Sequence, residues 1–537
     1  MEIVARTCYT RGSPRNTARK APTTTMSIFD TIAQDAANAP ALPTLDPTFD
    51  GGRMAPSDDF ALPVAPATKV LYGYQEASVE TVLTHGRVLL GLQPGMGKTA
   101  IAQAVVAAKV AEGGKAIVIV PPSLRVSPWA EEFALDYPHL TVAIVTGTKQ
   151  ADLPDADVVI VGDSVITKRA DDIIAWGPTV LVADEAHRFK NRTAKRAIAL
   201  GNIIAGLPVT ATVILATGTL ATNHAADVYK PLHALGSGQG HIQAKAVSRG
   251  ESYTRFLDEW CETEVIWTGR GHVRVAKGCK DAAGLRAKLM ETCMVSIPRE
   301  DVLDLPERTF AKVDLVINGE GAEYRRAERD FIQWVADKYG DASARRAAKA
   351  EAVTKIMRLW ELDGKAKAKA TVEYITNLTQ QGEQVVVMAV HRSVVEAIYF
   401  GLRAADKNLR IKTVVGGMTS DDKADVVADF QAGDVDVVIG NVEAAGTGLT
   451  LTASSNIVFA QLPWSPAVFG QASDRIYRIG QRNACEVHIL NMDGGVSQRL
   501  WDVLVNKAEV VDAINTGRES TIDTGSVQEA VLSGYGW

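Results

Sequence analysis

The chain has 537 residues, 46% hydrophobic and 22% charged, with 57 Lys and Arg against 63 Asp and Glu for a net charge of −6. That length asks for about two to four domains of ordinary globular composition, and no apolar run approaches the roughly 18 residues that span a bilayer, which argues against a membrane partner. The mild acidity excludes a uniformly basic surface but not a local basic patch, and the five cysteines, odd in number and never in a Cys-x-x-Cys pair, imply reduced thiols with no disulfide framework or zinc site.

The first 25 residues carry Arg6, Arg11, Arg15, Arg19 and Lys20 against Glu2 alone. They read as an organelle-targeting leader or, the reading favoured here, as sequence ahead of a true start at Met26. Residues 34–67 are rich in Ala, Pro and Asp and read as a loose tether, so 1–67 forms a loosely ordered N-terminal segment.

Between 68 and 235, apolar and β-branched runs at 88–92, 116–120, 142–145, 158–161, 180–183 and 213–216 alternate with helical stretches. Strands apolar on both faces belong to a parallel sheet covered by helices on each side, a doubly wound α/β lobe. The first run leads into Gly-Leu-Gln-Pro-Gly-Met-Gly-Lys-Thr at 91–99. A glycine-rich loop between strand and helix turns backbone N–H groups onto phosphate oxygens, so Gly95, Met96, Gly97, Lys98 and Thr99 are expected to cradle a nucleotide. Lys98 would reach the outer phosphates and Thr99 would hold magnesium. Leu92 stands where the strict pattern has its first glycine, and Gly-Lys-Thr also occurs in plain turns. The run at 180–183 ends in Asp184-Glu185-Ala186-His187, which places two carboxylates at the ligand-binding edge of the sheet. Asp184 is expected to hold magnesium and Glu185 to polarise an attacking water. Thr217-Gly218-Thr219 closes the next strand, where small hydroxyls can link the site to other surfaces or simply make a turn.

Residues 236–364 read as an insertion, mainly helical and basic. Val265-Ile266-Trp267 and Val273-Arg274-Val275 flank Gly269-Arg270-Gly271, the pattern of a hairpin. Arg270, Arg274, Lys277 and Lys280 lie in it with no acid between 265 and 280. Residues 342–369 add eight Lys or Arg against three acids. One such segment is commonly a solvated face, but two in an acidic chain point to nucleic acid. A second α/β lobe follows at 365–515, with strands expected at 385–390, 411–415, 435–439, 457–460 and 487–490, and a tail at 516–537. It has no glycine-lysine loop, so nucleotide is expected between the lobes. Its strongest signal is Gln471-Ala-Ser-Asp-Arg475-Ile-Tyr-Arg478-Ile-Gly-Gln481. On a helix, Gln471, Arg475 and Arg478 share one face, where two arginines could stabilise a transferring phosphate or merely form surface ion pairs. The glycines of Gly446-Thr447-Gly448 allow close approach to a phosphate or sugar, or a turn.

Taken in order, these motifs resemble the Swi/Snf-type DNA translocases of helicase superfamily two, over about 70 to 515. Leu71-Tyr72-Gly73-Tyr74-Gln75 is similar to the family's opening motif, whose Gln reads adenine, and the loop ending in Lys98-Thr99 is similar to its phosphate loop, which also lacks the first glycine. Val120-Pro121-Pro122-Ser123-Leu124 through Trp129 and Phe133, the acidic box at 184–191, the stretch 444–451 and Arg475 to Gln481 resemble further motifs. Leu220 replaces the usual Pro after Thr217-Gly218-Thr219, and Ser296-Ile297-Pro298-Arg299 stands where relatives often carry paired arginines, which puts that pair's role in doubt. The resemblance implies two RecA-like lobes and a monomeric, DNA-dependent ATPase using ATP and Mg2+ on duplex or forked DNA. Gln75 and Gly448 would contact nucleotide, and Lys98, Asp184, Glu185, Gln471, Arg475 and Arg478 would carry hydrolysis. The compact size implies a prokaryotic or viral motor in the cytoplasm, or an annealing-type enzyme, nuclear in a eukaryote. The rivals are a strand-separating DNA or RNA helicase, for which no wedge is evident, and an ATP-switched clamp or subunit without motor activity.

Overall fold

The computed structural model describes residues 49–504 and 531–535, apart from 150, 222–223, 238–251, 268–270, 318, 338–347, 446–448 and 534. Its first sheet has seven strands: β1 (Arg87–Leu90), β2 (Ala116–Val120), β3 (Val142–Val145), β4 (Val158–Gly162), β5 (Val180–Ala183), β6 (Thr212–Ala216) and the later β9 (Met294–Val295). Their order is β3-β4-β2-β5-β6-β1-β9, and every pairing is parallel. Strands such as β2 and β4 are buried along their whole length, which is why they read as unbroken apolar runs rather than alternating ones. The order brings β5, β6 and β1 side by side. Their carboxyl ends therefore set Asp184, Thr217 and the loop after Leu90 next to one another.

The second sheet has six strands, all parallel, in the order β10-β15-β14-β11-β13-β12. They are β10 (Arg308–Asp314), β11 (Val385–Ala389), β12 (Ile411–Val414), β13 (Val437–Asn441), β14 (Asn456–Phe459) and β15 (Cys485–Asn491). The lobe is thus an α/β sheet of the same kind as the first, and together they form the RecA-like pair expected.

Two strands were not legible as such. β9 is two residues long, and β10 is a sheet-edge strand whose residues alternate between half-buried and exposed, so neither resembles a buried parallel strand. Both fall within 236–364, so this stretch supplies one strand to each sheet. The 32-residue helix Lys349–Gln380 crosses residue 364 and packs on the second sheet. There Lys367 and Asp363, each 1% exposed, pair at 3.0 Å, and Lys367 Nζ donates to the Leu490 carbonyl at 2.9 Å.

Between the sheets in sequence, the helix Tyr253–Trp260 leads into an antiparallel ribbon of β7 (Cys261–Trp267) and β8 (His272–Cys279), with a bulge at Glu262/Thr263. Among the described residues no helix is long and apolar enough to cross a membrane.

Candidate active site

A cavity of about 520 Å³ lies at the carboxyl edge of the first sheet and is closed on one side by the second lobe. Gln75, Gly95, Gly97, Lys98, Thr99, Asp184, Glu185, Arg475 and Arg478 all line it, although Gln75 and Arg478 are 403 residues apart in the chain.

The glycine-rich loop makes one wall. Leu92 is fully buried, so its side chain anchors the loop in the core while its carbonyl, with that of Gln93, accepts from Lys98 Nζ at 3.0 and 3.3 Å. Gly95 and Gly97 both have positive φ, at 82° and 79°. A Cβ on Gly95 would lie 2.6 Å from Arg478 Cβ, and one on Gly97 would lie 2.3 Å from Gln75 Nε2, so the loop needs glycine there for conformation and for clearance. Met96 keeps its side chain in the core and serves the site through its carbonyl, which accepts from Gln75 Nε2 at 3.1 Å and from the Tyr74 hydroxyl at 2.9 Å. Gln75 Oε1 accepts from the Tyr72 N–H, so this side chain ties helix Gly73–His85 to the loop.

The carboxylates make the floor. Trp129 Nε1 donates to Asp184 Oδ2 at 3.0 Å, and the Glu185 N–H donates to Asp184 Oδ1 at 2.8 Å, fixing the orientation of Asp184. Glu185, at φ 50°, is the only non-glycine residue with positive φ among those described, a strained conformation that aims its side chain into the cavity. His187 Nδ1 lies 3.2 Å from both Glu185 Oε2 and Thr217 Oγ1, which joins the end of β5 to the end of β6. Burial and the charge of Glu185 push the Asp184 carboxyl up. Burial also works against the Glu185 anion, but His187, Lys98 and Arg475 outweigh it and hold that carboxyl low.

From the second lobe, Arg475 and Arg478 face these groups. The expected helix across 471–481 is corrected: helix Pro466–Ser473 ends before either arginine, and turns follow. The arginines stay together because their side chains bond backwards, Arg475 Nε to the Gln471 carbonyl and Arg478 Nε to the Asp474 carbonyl, each at 3.0 Å. Their other nitrogens reach the Leu449 carbonyl and Thr450 Oγ1. Burial lowers the pKa of both guanidiniums, and for Arg478 the charge of Arg475 adds to this. Two adjacent guanidiniums at the cavity wall, each with hydrogen-bonding nitrogens, can receive an anion even though Glu185 and Asp474 offset part of their charge. Gln471 acts on this geometry through its carbonyl and does not line the cavity.

Comparison with known proteins gives matches over both lobes. Residues 72–228 match the DEAD/DEAH box helicase family, and residues 366–480 match the helicase conserved C-terminal domain. The chain is 26% identical over 478 residues to the DNA annealing helicase and endonuclease ZRANB3 of Mus musculus, an alignment spanning 86% of this chain and 42% of that protein. It is 27% identical over 436 residues to the SWI/SNF-related matrix-associated actin-dependent regulator of chromatin subfamily A-like protein 1 of Xenopus laevis, spanning 79% of this chain and 42% of that one. The chain resembles the Swi/Snf-type proteins of helicase superfamily two. It spans less than half the length of these curated relatives. The Sulfolobus solfataricus SWI2/SNF2 ATPase core in complex with dsDNA aligns with a TM-score of 0.39 and 20% identity, covering 85% of this chain and 96% of that one.

A second junction between the lobes was not legible in the sequence. Arg299 NH1 donates to the Pro94 carbonyl of the phosphate loop at 3.3 Å and to Asp474 Oδ1 at 3.2 Å. Arg308 donates to the same Asp474 oxygen at 2.7 Å, and both guanidiniums lie over the Tyr477 ring, at 4.8 and 4.5 Å. The only available signal was the single arginine at 299 where a pair was sought; its partners are 175 and 205 residues away. Trp129 and Tyr72 were legible as motif letters but not as the donor to Asp184 and the half-exposed ring beside Gln75. Gly448 and Arg270 lie outside the described residues. Arg274, Lys277 and Lys280 are on the ribbon and do not line this cavity.

Proposed function

We propose that the chain is a DNA-dependent ATPase that moves along duplex DNA. The observation that carries this is the split cavity, in which the Lys98 loop and Asp184–Glu185 of one lobe meet Arg475 and Arg478 of the other. A site that is whole only when two lobes meet converts nucleotide binding and loss into relative lobe motion.

In this reading Gln75 and Tyr72 take the adenine end, and the backbone of 95–99 with Lys98 takes the phosphates. The Thr99 hydroxyl and the Asp184 carboxylate both line the cavity and are hard oxygen donors, so they fit a magnesium ion, which would offset phosphate charge when bound with nucleotide. Glu185 stays anionic and accepts a proton at its carboxylate from the attacking water, while His187 holds it in place. Arg475 and Arg478 meet the charge that develops on the transferring phosphate. DNA contacts would fall mostly on phosphates and carry little sequence information.

The test is ATP turnover with and without duplex DNA. Wild type should be strongly stimulated, and Lys98→Ala or Glu185→Gln should abolish nearly all turnover while the thermal unfolding midpoint stays close to wild type. Turnover indifferent to DNA would defeat the motor reading. Stimulation without displacement of a DNA-bound block would favour a switched clamp.

A further inference from the structure

We propose that Cys261 and Cys279 form a redox-modification site, a cross-strand dithiol that closes to a disulfide and staples the base of the ribbon β7–β8; this does not rest on the motor reading above. The two cysteines are 18 positions apart in the chain, so nothing local in the sequence joins them. The ribbon register puts them directly opposite each other, ahead of the bulge at Glu262/Thr263.

The kind of pairing decides how near the sulfurs can come. Opposed residues of an antiparallel ladder alternate between hydrogen-bonded and non-hydrogen-bonded pairs, and side chains lie closer in the second kind. The Lys280 N–H donates to the Trp260 carbonyl at 3.0 Å, so Trp260 and Lys280 are hydrogen-bonded partners and the adjacent Cys261 and Cys279 are a non-hydrogen-bonded pair. Opposed α-carbons in such a pair stand about 4.5 Å apart, inside the range of roughly 4.4–6.8 Å that a disulfide spans. The register is held around them. Arg274 Nε donates to Thr263 Oγ1 at 2.8 Å, Lys277 pairs with Glu264 at 3.1 Å, and Lys280 Nζ donates to the Asp258 carbonyl at 2.5 Å.

A buried cysteine is commonly only a small apolar filler. Cys293 and Cys485 fit that description, with Cys293 beside Thr292 Oγ1 and Cys485 beside the Ile476 and Asn483 carbonyls. Cys261 and Cys279 differ in facing another thiol. Cys261 is fully buried in the first-lobe core with Phe256 and Leu257, while Cys279 packs against that core and is half-buried. Among the described residues no group of three His, Cys, Asp or Glu could hold a metal, so the pair is not part of a zinc site. Burial pushes both thiols up, Cys261 to about 12 with the facing Cys279 adding to it, and Cys279 to about 11. The pair therefore rests reduced and closes slowly.

Closure takes a low-molecular-weight disulfide as oxidant. Cys279, the more accessible thiol, loses its proton and attacks one sulfur of that disulfide, forming a mixed disulfide and releasing the first small thiol. Cys261 then loses its proton and attacks Cys279 Sγ, which forms the Cys261–Cys279 bond and releases the second small thiol. The two cysteines give up two electrons and the oxidant is reduced to two thiols.

The experiment incubates the full chain with oxidised glutathione and maps its cysteines by non-reducing digestion and mass spectrometry. Wild type should yield a Cys261–Cys279 cross-linked peptide in roughly tenfold excess over glutathionylated Cys279, with no cross-link through Cys293 or Cys485. Dithiothreitol should reverse it. Cys261→Ser should instead accumulate the glutathione adduct at Cys279. A persistent adduct at Cys279 in wild type would overturn the proposal, since the sulfurs would then not meet. Cysteines left unmodified in both proteins would overturn it too, and return the pair to plain core packing. So would a lower thermal unfolding midpoint for the oxidised wild type than for the reduced, because closure would then distort the ribbon.

Discussion

Glu185 gathers the chemistry of the cavity into one side chain. Its backbone is in the left-handed region, its carboxylate is 3.2 Å from His187, and its anion is sustained against burial by cations from both lobes. Because its folded pKa lies below the ordinary 4.5, Glu185 stabilises the fold at pH values above 4.5, and that contribution fades as pH falls through the lowered pKa. Removing His187 takes away the largest restraint on the carboxyl. The acid limb of the kcat–pH profile should therefore move to higher pH in His187→Ala, by roughly one unit. That limb belongs to the Asp184–Glu185 pair rather than to one carboxyl. An unmoved limb would mean that His187 serves Thr217 and not Glu185. The position of these residues at the sheet edge was legible in sequence because the acidic pair directly follows an apolar strand; the strain at Glu185 was not, since nothing local demands it.

At the scale of elements, most strands of both sheets were readable from their unbroken apolar runs, and the errors fall on a two-residue strand, on an edge strand and where the chain turns. β10 was missed because it is an edge strand, and the helix through Gln471 was drawn too long because its end is set by side-chain bonds back to carbonyls, which a spacing rule does not register. The helix Lys349–Gln380 reads as a basic, solvated element, yet Lys367 lies in the core with Asp363, and Lys355 and Arg358 are paired along or beside the helix. Lys367→Ala leaves the Asp363 carboxylate buried without its counter-charge, although Ser497 still donates to it. The loss should be about 3–5 kcal/mol, the usual cost of breaking a buried pair from one side. Denaturant unfolding should show it as a lower midpoint for the second lobe. A change below about 0.5 kcal/mol would place this pair with ordinary surface ion pairs.

For the whole molecule, a decisive feature is a set of groups that joins the lobes close to the cavity. Asp474 sits one residue before Arg475 and is held by Arg299 and Arg308, while Arg299 also grips the Pro94 carbonyl of the phosphate loop. Arg299 is thus a positioning residue that ties the loop to the arginines opposite. Arg299→Ala should lower kcat roughly tenfold, the scale of one charge-assisted hydrogen bond, with KM for ATP changed much less. Arg299→Lys should recover only part, because a point charge cannot bond two oxygens and cover the Tyr477 ring as a planar guanidinium does. A loss confined to KM would instead assign Arg299 to nucleotide binding.

The sequence by itself determined the two parallel sheets and named the residues that line the cavity, because burial on both faces imposes an apolar run on each strand and the glycine, lysine, carboxylate and arginine motifs stand out around those runs. Only the tertiary structure decided which of those residues meet, that Gln471 works through its carbonyl, that Arg299 joins the lobes, and that the ribbon exposes Trp267 while its described cations are engaged. Each of these depends on distances between residues far apart in the chain, or on which side of an element faces a neighbour. Local composition cannot carry that information: a charge looks the same in sequence whether its partner is solvent, an acid on the preceding strand or a phosphate.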